Sequence, residues 1–142
     1  MSSLPILAFQ LRLLKQLTAW SLLSIFAGGL LALLSADRSF WQAFGGMNAA
    51  WGLVNLLIAS AGLYGVLKKG RRGIADEEAE RLKLLRLLKV NVFLDVGYVL
   101  VGLGMVIWGR SALLHGFGWG IILQGAFLLL FDAFHYKGGH AQ

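Results

Sequence analysis

Residues 90–108 read VNVFLDVGYVLVGLGMVIW, with Asp95 as the one charged side chain in the run. About 20 apolar residues in a helix cross the hydrocarbon core of a bilayer. Stretches of the same character lie at about 17–34, 41–67 and 113–136. The chain of 142 residues is 58% hydrophobic and 14% charged, with a mean hydropathy of +0.71. Soluble domains are about 45–50% apolar and about 25% charged. The sequence therefore predicts an all-α membrane protein: one domain, residues 1–142, folded as an antiparallel bundle of four transmembrane helices. Four spans use nearly all of the chain and leave no separate extramembrane domain.

Between the second and third spans lies a long polar stretch, 68–89, which opens Lys-Lys-Gly-Arg-Arg-Gly and continues as a helix with Asp76, Glu77 and Glu78 leading to Arg81, Lys83 and Arg86. Acids at a helix start and bases toward its end suit the helix dipole. All but Arg38 and Arg110 of the 13 Lys and Arg fall on the side of this stretch and the two termini. The positive-inside rule then expects a multi-pass protein of the cell inner (plasma) membrane with both termini cytoplasmic. Trp20, Trp41, Trp108, Tyr64 and Tyr136 lie near span ends, as interfacial anchors do. Ser2 or Ser3 before Pro5 resembles a helix start, and 4–16, marked by Arg12 and Lys15, is expected to lie on the membrane surface before an uncleaved first helix. The net charge of +6 is explained by orientation, because the basic residues flank apolar runs and do not interleave with aromatics, so no nucleic-acid partner is expected. With no cysteine in the chain, thiol chemistry and Cys-ligated metals are excluded.

An internal repeat is visible. Leu11-Arg12-Leu13-Leu14-Lys15 recurs as Leu85-Arg86-Leu87-Leu88-Lys89. The same offset carries Ser21 onto Asp95, Ser24 onto Tyr98 and Gly28 onto Gly102. One residue less carries Gly45 onto Gly118, Gly52 onto Gly125 and Ala59 onto Asp132. Two related helical hairpins that start on the same side form a parallel repeat about an axis along the membrane normal. Small and polar residues step by three and four along each span, as in Gly45, Asn48, Gly52, Asn55, Ala59 and Gly62, and so mark the bundle-facing stripe.

The costly residues are Asp95 and Asp132, since an aspartate at a helix centre costs about 2.5–3.5 kcal/mol on insertion scales. Counted from the span ends, both lie roughly 6–10 Å inside the cytoplasmic boundary, and their carboxyl groups are expected within about 8 Å of each other. Asn91, Tyr98, His135 and Tyr136 are within one helical turn of one or the other, while Asn55 and Gln124 lie nearer the midplane. At Asn48, Asn55 and Gln124 the structural alternative is interhelical glue, and at His135 it is an ordinary interfacial histidine. With no Lys or Arg at that depth, the pair is expected to share a proton, to lean on His135 or to hold a cation. Only Asp132-x-x-His135 has ligand spacing, so neither a metal nor a cofactor is expected.

The elements Asn91-x3-Asp95-x2-Tyr98-x3-Gly102 and Gln124-Gly125-x-Phe127-x4-Asp132-x2-His135-Tyr136 resemble those of a family of small uncharacterised bacterial four-helix integral membrane proteins. The resemblance implies the fold and supplies no activity. The small multidrug exporters differ, because they carry a glutamate in the first helix where this chain has Ser21 and Ser24. The expected function is a polar intramembrane site made of Asp95, Asp132, His135, Tyr98, Asn91, Gln124 and Asn55, binding or transporting a small solute, ion or lipid headgroup. The alternatives are a structural subunit that pairs with another membrane protein or a second copy, and an intramembrane lipid-processing enzyme with an aspartate as base and His135 as acid. The enzyme reading lacks a nucleophile motif, so no catalytic residue is assigned.

Overall fold

A computed structural model of the chain describes residues 5–73 and 76–141. It contains four helices, α1 Pro5–Leu34, α2 Phe40–Arg72, α3 Glu77–Trp108 and α4 Ala112–Ala141. All four are long and apolar enough to cross a membrane. The protein is an all-α membrane bundle. Its outer surface is greasy, with Leu33 83% exposed, while Gln10, Ser21, Ser24, Asn48, Asn55, Asp95, Gln124, Asp132 and His135 are all buried. That distribution suits a lipid solvent, in which polar groups gain by facing one another.

The α1–α2 and α3–α4 turns lie at one end, the hairpin end, and the described termini lie with the α2–α3 connection at the other, the basic end. The turns are made locally. Ser39 Oγ accepts from the Gln42 N–H at 3.1 Å to cap α2, and Ser111 Oγ accepts from the Leu114 N–H at 3.1 Å to cap α4. Most of the polar stretch 68–89 is helical. Lys69, Arg71 and Arg72 form the last turn of α2, and Gly73 stops it with a φ of 84° that favours glycine. Asp76 caps α3, accepting from the Ala79 N–H at 3.2 Å, and Glu77, Glu78 and Glu80 occupy its first turn.

Residues from Pro5 onward do not form a separate surface helix: α1 is continuous to Leu34. The reason is packing. Ile6 and Leu7 are buried with Val66 of α2 against Leu84 of α3, and Phe9 and Leu13 join Leu88 and Phe131 in the main core cluster. Arg12 and Lys15 point outward from the same turns. The expected cap at Ser2 or Ser3 falls outside the described residues.

The extensive interfaces are α1–α2, α3–α4 and α2–α4. Glycine sets the first two in the same way. A Cβ on Gly28 would lie 2.5 Å from Gly45 O and 2.8 Å from Ala49 N, and one on Gly102 would lie 2.7 Å from Gly118 O and 3.1 Å from Ile122 N. A Cβ on Gly52 would meet Ile25, and one on Gly125 would meet Val99. Under the repeat register these contacts correspond residue by residue. Between hairpins, a Cβ on Gly116 would meet Ala43 and one on Gly120 would meet Met47. Those are the repeat counterparts of each other, so α2 and α4 pack about a local two-fold axis that runs along the bundle.

Candidate functional site

Toward the basic end from that crossing lies a cavity of about 280 Å³. Leu13, Leu14 and Leu17 of α1 line it together with Leu87, Leu88 and Asn91 of α3. These two trios are repeat counterparts, so the cavity sits on the two-fold axis. Its polar wall is provided by Gln10, Asn91, Asp132 and Lys69. Lys69 marks the basic end, where its Nζ donates to Glu80 Oε2 at 2.8 Å and joins α2 to α3. Nearby, the Ile6 N–H donates to Glu77 Oε1 at 3.1 Å, and Arg81 donates to Gly139 O at 3.1 Å, tying α3 to the end of α4. The helix termini at the basic end are thus tied to one another.

Asp95 is 3% and Asp132 7% exposed, and the two side chains are neighbours whose carboxyl groups interact. Asp132 lines the cavity and Asp95 does not. Three buried polar atoms among the described residues have no hydrogen-bond partner: Asp95 Oδ2, Gln10 Oε1 and Asn55 Nδ2. Buried groups in native proteins are nearly always partnered, so orphans mark places where something else binds or moves. Gln10 lines the cavity.

His135 is buried, contrary to its expected place near water. Its Nδ1 faces Phe131 O at 2.7 Å and its Nε2 faces Gln16 Oε1 at 2.9 Å. The ring is enclosed by Phe9, Phe131 and Phe134.

The other sequence-derived candidates are not at the cavity. Gln124, 1% exposed, is a clasp between three helices. Its Oε1 accepts from Trp20 Nε1 at 2.9 Å, and its Nε2 donates to Ser24 Oγ at 3.0 Å and to Asn48 Oδ1 at 2.7 Å. It lines a second, nearly apolar cavity of about 250 Å³ between α1, α2 and α4. Tyr98 packs its ring on Trp51 with centroids 4.9 Å apart. Since Tyr98 and Trp51 are the repeat counterparts of Ser24 and Gln124, one spot of the fold holds a hydrogen bond in one half and an aromatic pair in the other. Asn55 is buried on α2 beside neither cavity. Among the described residues no cluster of three His, Asp or Glu is arranged to hold a metal.

Sequence reasoning passed over Gln10, Gln16, Lys69 and Glu80. The repeat held a signal for one of them, because Gln10 falls on Leu84, a polar residue on a position that is leucine in the other half.

A family model matches residues 16–133, a span that includes both aspartates, and its description is a family of unknown function, DUF6992. The chain belongs to this family. The resemblance to small uncharacterised four-helix proteins agrees with that membership. Neither the curated proteins nor the solved structures give a match to this chain.

Proposed function

We propose that this DUF6992 protein lies in the inner (plasma) membrane with its basic end in the cytoplasm, and that it binds a small solute at the Asp95–Asp132 pair in the central cavity. The excess of Lys and Arg at the basic end supports the orientation. One observation carries the binding reading: Asp132, one member of a buried carboxyl pair, opens on a cavity whose wall also holds Gln10 with its unpartnered amide oxygen. A structural clasp would satisfy its members, as Gln124 does with three partners. Without a bound solute the two carboxyl groups would be held together by one proton, because two carboxylates offer only acceptors to each other. Solute and proton would then compete for the pair.

The test uses dicyclohexylcarbodiimide, an apolar reagent that modifies protonated carboxyl groups inside membranes. Purified protein in lipid nanodiscs should take one adduct, located by peptide mass at Asp132 or Asp95 and absent from an Asp95→Asn/Asp132→Asn variant. An unlabelled pair in folded protein rejects the reading.

A second reading, a subunit that pairs with another membrane protein or a second copy, draws on Gly29, Gly46 and Gly97, where an added Cβ would meet nothing within 4 Å. Such outward glycines let a neighbouring helix approach closely. Cross-linking from cysteines at Gly46 and Gly97 would show it.

A further inference from the structure

From the hydrogen-bond deficit of the cavity we infer that its ligand is a small amphiphile with a primary ammonium group, taken up in exchange for the proton of the Asp95–Asp132 pair. The inference rests on the site proposed above. It starts from what the wall lacks. Asp132 contributes acceptors, Asp95 Oδ2 has no donor, and Gln10 Oε1, more than nine-tenths buried, has none either. Gln10 Oε1 on the wall and Asp95 Oδ2 beside Asp132 are thus acceptors without a donor, and the cation on the wall, Lys69, is engaged with Glu80.

The protein's own groups do not fill that need. On α2 the cation is Lys69, already bonded to Glu80 of α3. On α4 the titratable neighbours of Asp132 are His135, whose two nitrogens face Phe131 O and Gln16 Oε1, and Tyr136 in the next turn. On α3 the titratable group is Asp95 itself, and α1 brings Gln10 and Gln16, which do not titrate. A primary ammonium supplies three N–H donors and one positive charge. Its entry as the shared proton leaves keeps the charge of the site unchanged, which avoids the cost of burying a second uncompensated carboxylate.

The rest of the wall describes the rest of the ligand. Leu13, Leu14, Leu17, Leu87 and Leu88 make it apolar, and a volume of about 280 Å³ is at or below the lower end of small-molecule pockets, about 300 Å³. A short alkyl chain fits, and two acyl chains do not. The ammonium itself has two sources, a free amine or the ethanolamine headgroup of a phospholipid reaching in from the bilayer.

The experiment measures dicyclohexylcarbodiimide labelling in nanodiscs of phosphatidylcholine, whose headgroup has no N–H, with n-hexylammonium, hexyltrimethylammonium or 1-hexanol as probe. At ten times its Kd a ligand fills about 90% of sites, so hexylammonium at that concentration should slow labelling about tenfold. Hexanol should not slow it, and hexyltrimethylammonium, a cation without N–H, should act only at much higher concentration. In weakly buffered solution, hexylammonium binding should release one proton per protein, and none from the double Asn variant. Discs containing phosphatidylethanolamine separate the sources: slow labelling there without added amine assigns the ammonium to the lipid headgroup, and unchanged labelling assigns it to a free amine. Labelling that proceeds equally in every arm overturns the ammonium inference and leaves the carboxyl site standing. Equal protection by hexanol overturns it too, since an apolar chain alone would then suffice. Absence of labelling in all arms removes the site and the inference together.

Discussion

Replacing Gln124 by leucine conserves volume and removes three interhelical hydrogen bonds, to Trp20, Ser24 and Asn48. Side-chain hydrogen bonds between membrane helices average about 0.6 kcal/mol in double-mutant cycles, so three contribute about 2 kcal/mol. The partners raise that figure. Ser24 can turn to the carbonyl one turn back in its helix, but the Trp20 N–H and Asn48 Oδ1 are left without a partner, and an orphaned buried group costs about 1–3 kcal/mol. The expected loss for Gln124→Leu is about 2–4 kcal/mol, since the Trp20 side is only partly buried. The assay is reversible unfolding in mixed micelles, read by tryptophan fluorescence and helical circular dichroism. Trp20→Phe removes one bond and can keep much of the ring stack on Phe127, whose centroid lies 3.7 Å away, so it should cost about 0.6–1.7 kcal/mol. In the Trp20→Phe background Gln124→Leu should cost less than in the wild type by about the energy of their shared bond. A Gln124→Leu protein within about 0.5 kcal/mol of wild type would refute the clasp, because even average bonds predict more.

The glycine contacts make a paired prediction. Gly28→Ala and Gly102→Ala each push a methyl group into the facing backbone and should destabilise by similar amounts, about 1–3 kcal/mol, whereas Gly29→Ala and Gly97→Ala, which meet open space, should cost nothing measurable in the same unfolding assay. Topology can be read with single cysteines in this cysteine-free chain. Those at the exposed Asp37 and Ser111 should react with an impermeant maleimide from outside intact cells, and one at the exposed Arg72 only after permeabilisation. The reverse pattern would invert the bundle. Lys69→Met should change stability by less than about 1 kcal/mol, because Lys69 is 40% exposed and its ion pair is screened, yet it should speed carbodiimide labelling if the Lys69–Glu80 contact closes the basic end of the cavity.

The spans and their inward stripes were legible because hydrocarbon imposes a length and tolerates few polar residues, so Asn48, Gly52 and Asn55 had to face protein. The common depth of Asp95 and Asp132 followed from helical rise alone. Partner identity was not legible. Periodicity assigns a face to Gln124 but does not say that the facing residues are Trp20 and Ser24 of α1, a choice made by how the two hairpins cross. The burial of Ile6, Leu7 and Phe9 was hidden by Arg12 and Lys15, which read as interfacial markers. In a helix of 30 residues one face of a turn can meet solvent or headgroups while the other packs against three helices. Lys69 and Glu80 are ordinary members of a charged stretch until α2 and α3 are seen to bring them together.

The repeat offers a way to ask whether the acids belong to the architecture or to the chemistry. Their counterparts in the first hairpin are Ser21 and Ala59, both 0% exposed, in a hairpin whose close contacts at Gly28 and Gly52 correspond to those at Gly102 and Gly125 in the second. The same backbone packing is therefore completed by a hydroxyl and a methyl in one half of the molecule. A double variant, Asp95→Ser/Asp132→Ala, transfers that solution to the second half. Each single substitution removes one carboxyl and leaves the other buried without its neighbour, which costs about 1–3 kcal/mol or more if it is charged. Removing both together avoids that penalty, so the double variant should be at least as stable as the less stable single variant, and less destabilised than the sum of the two. It should unfold as cooperatively as the wild type while losing carbodiimide labelling and hexylammonium-linked proton release. If the double variant instead loses the full sum of the single costs, or does not fold, the acids are part of what holds α3 to α4. If it folds and still releases a proton on binding hexylammonium, the exchange occurs elsewhere in the bundle.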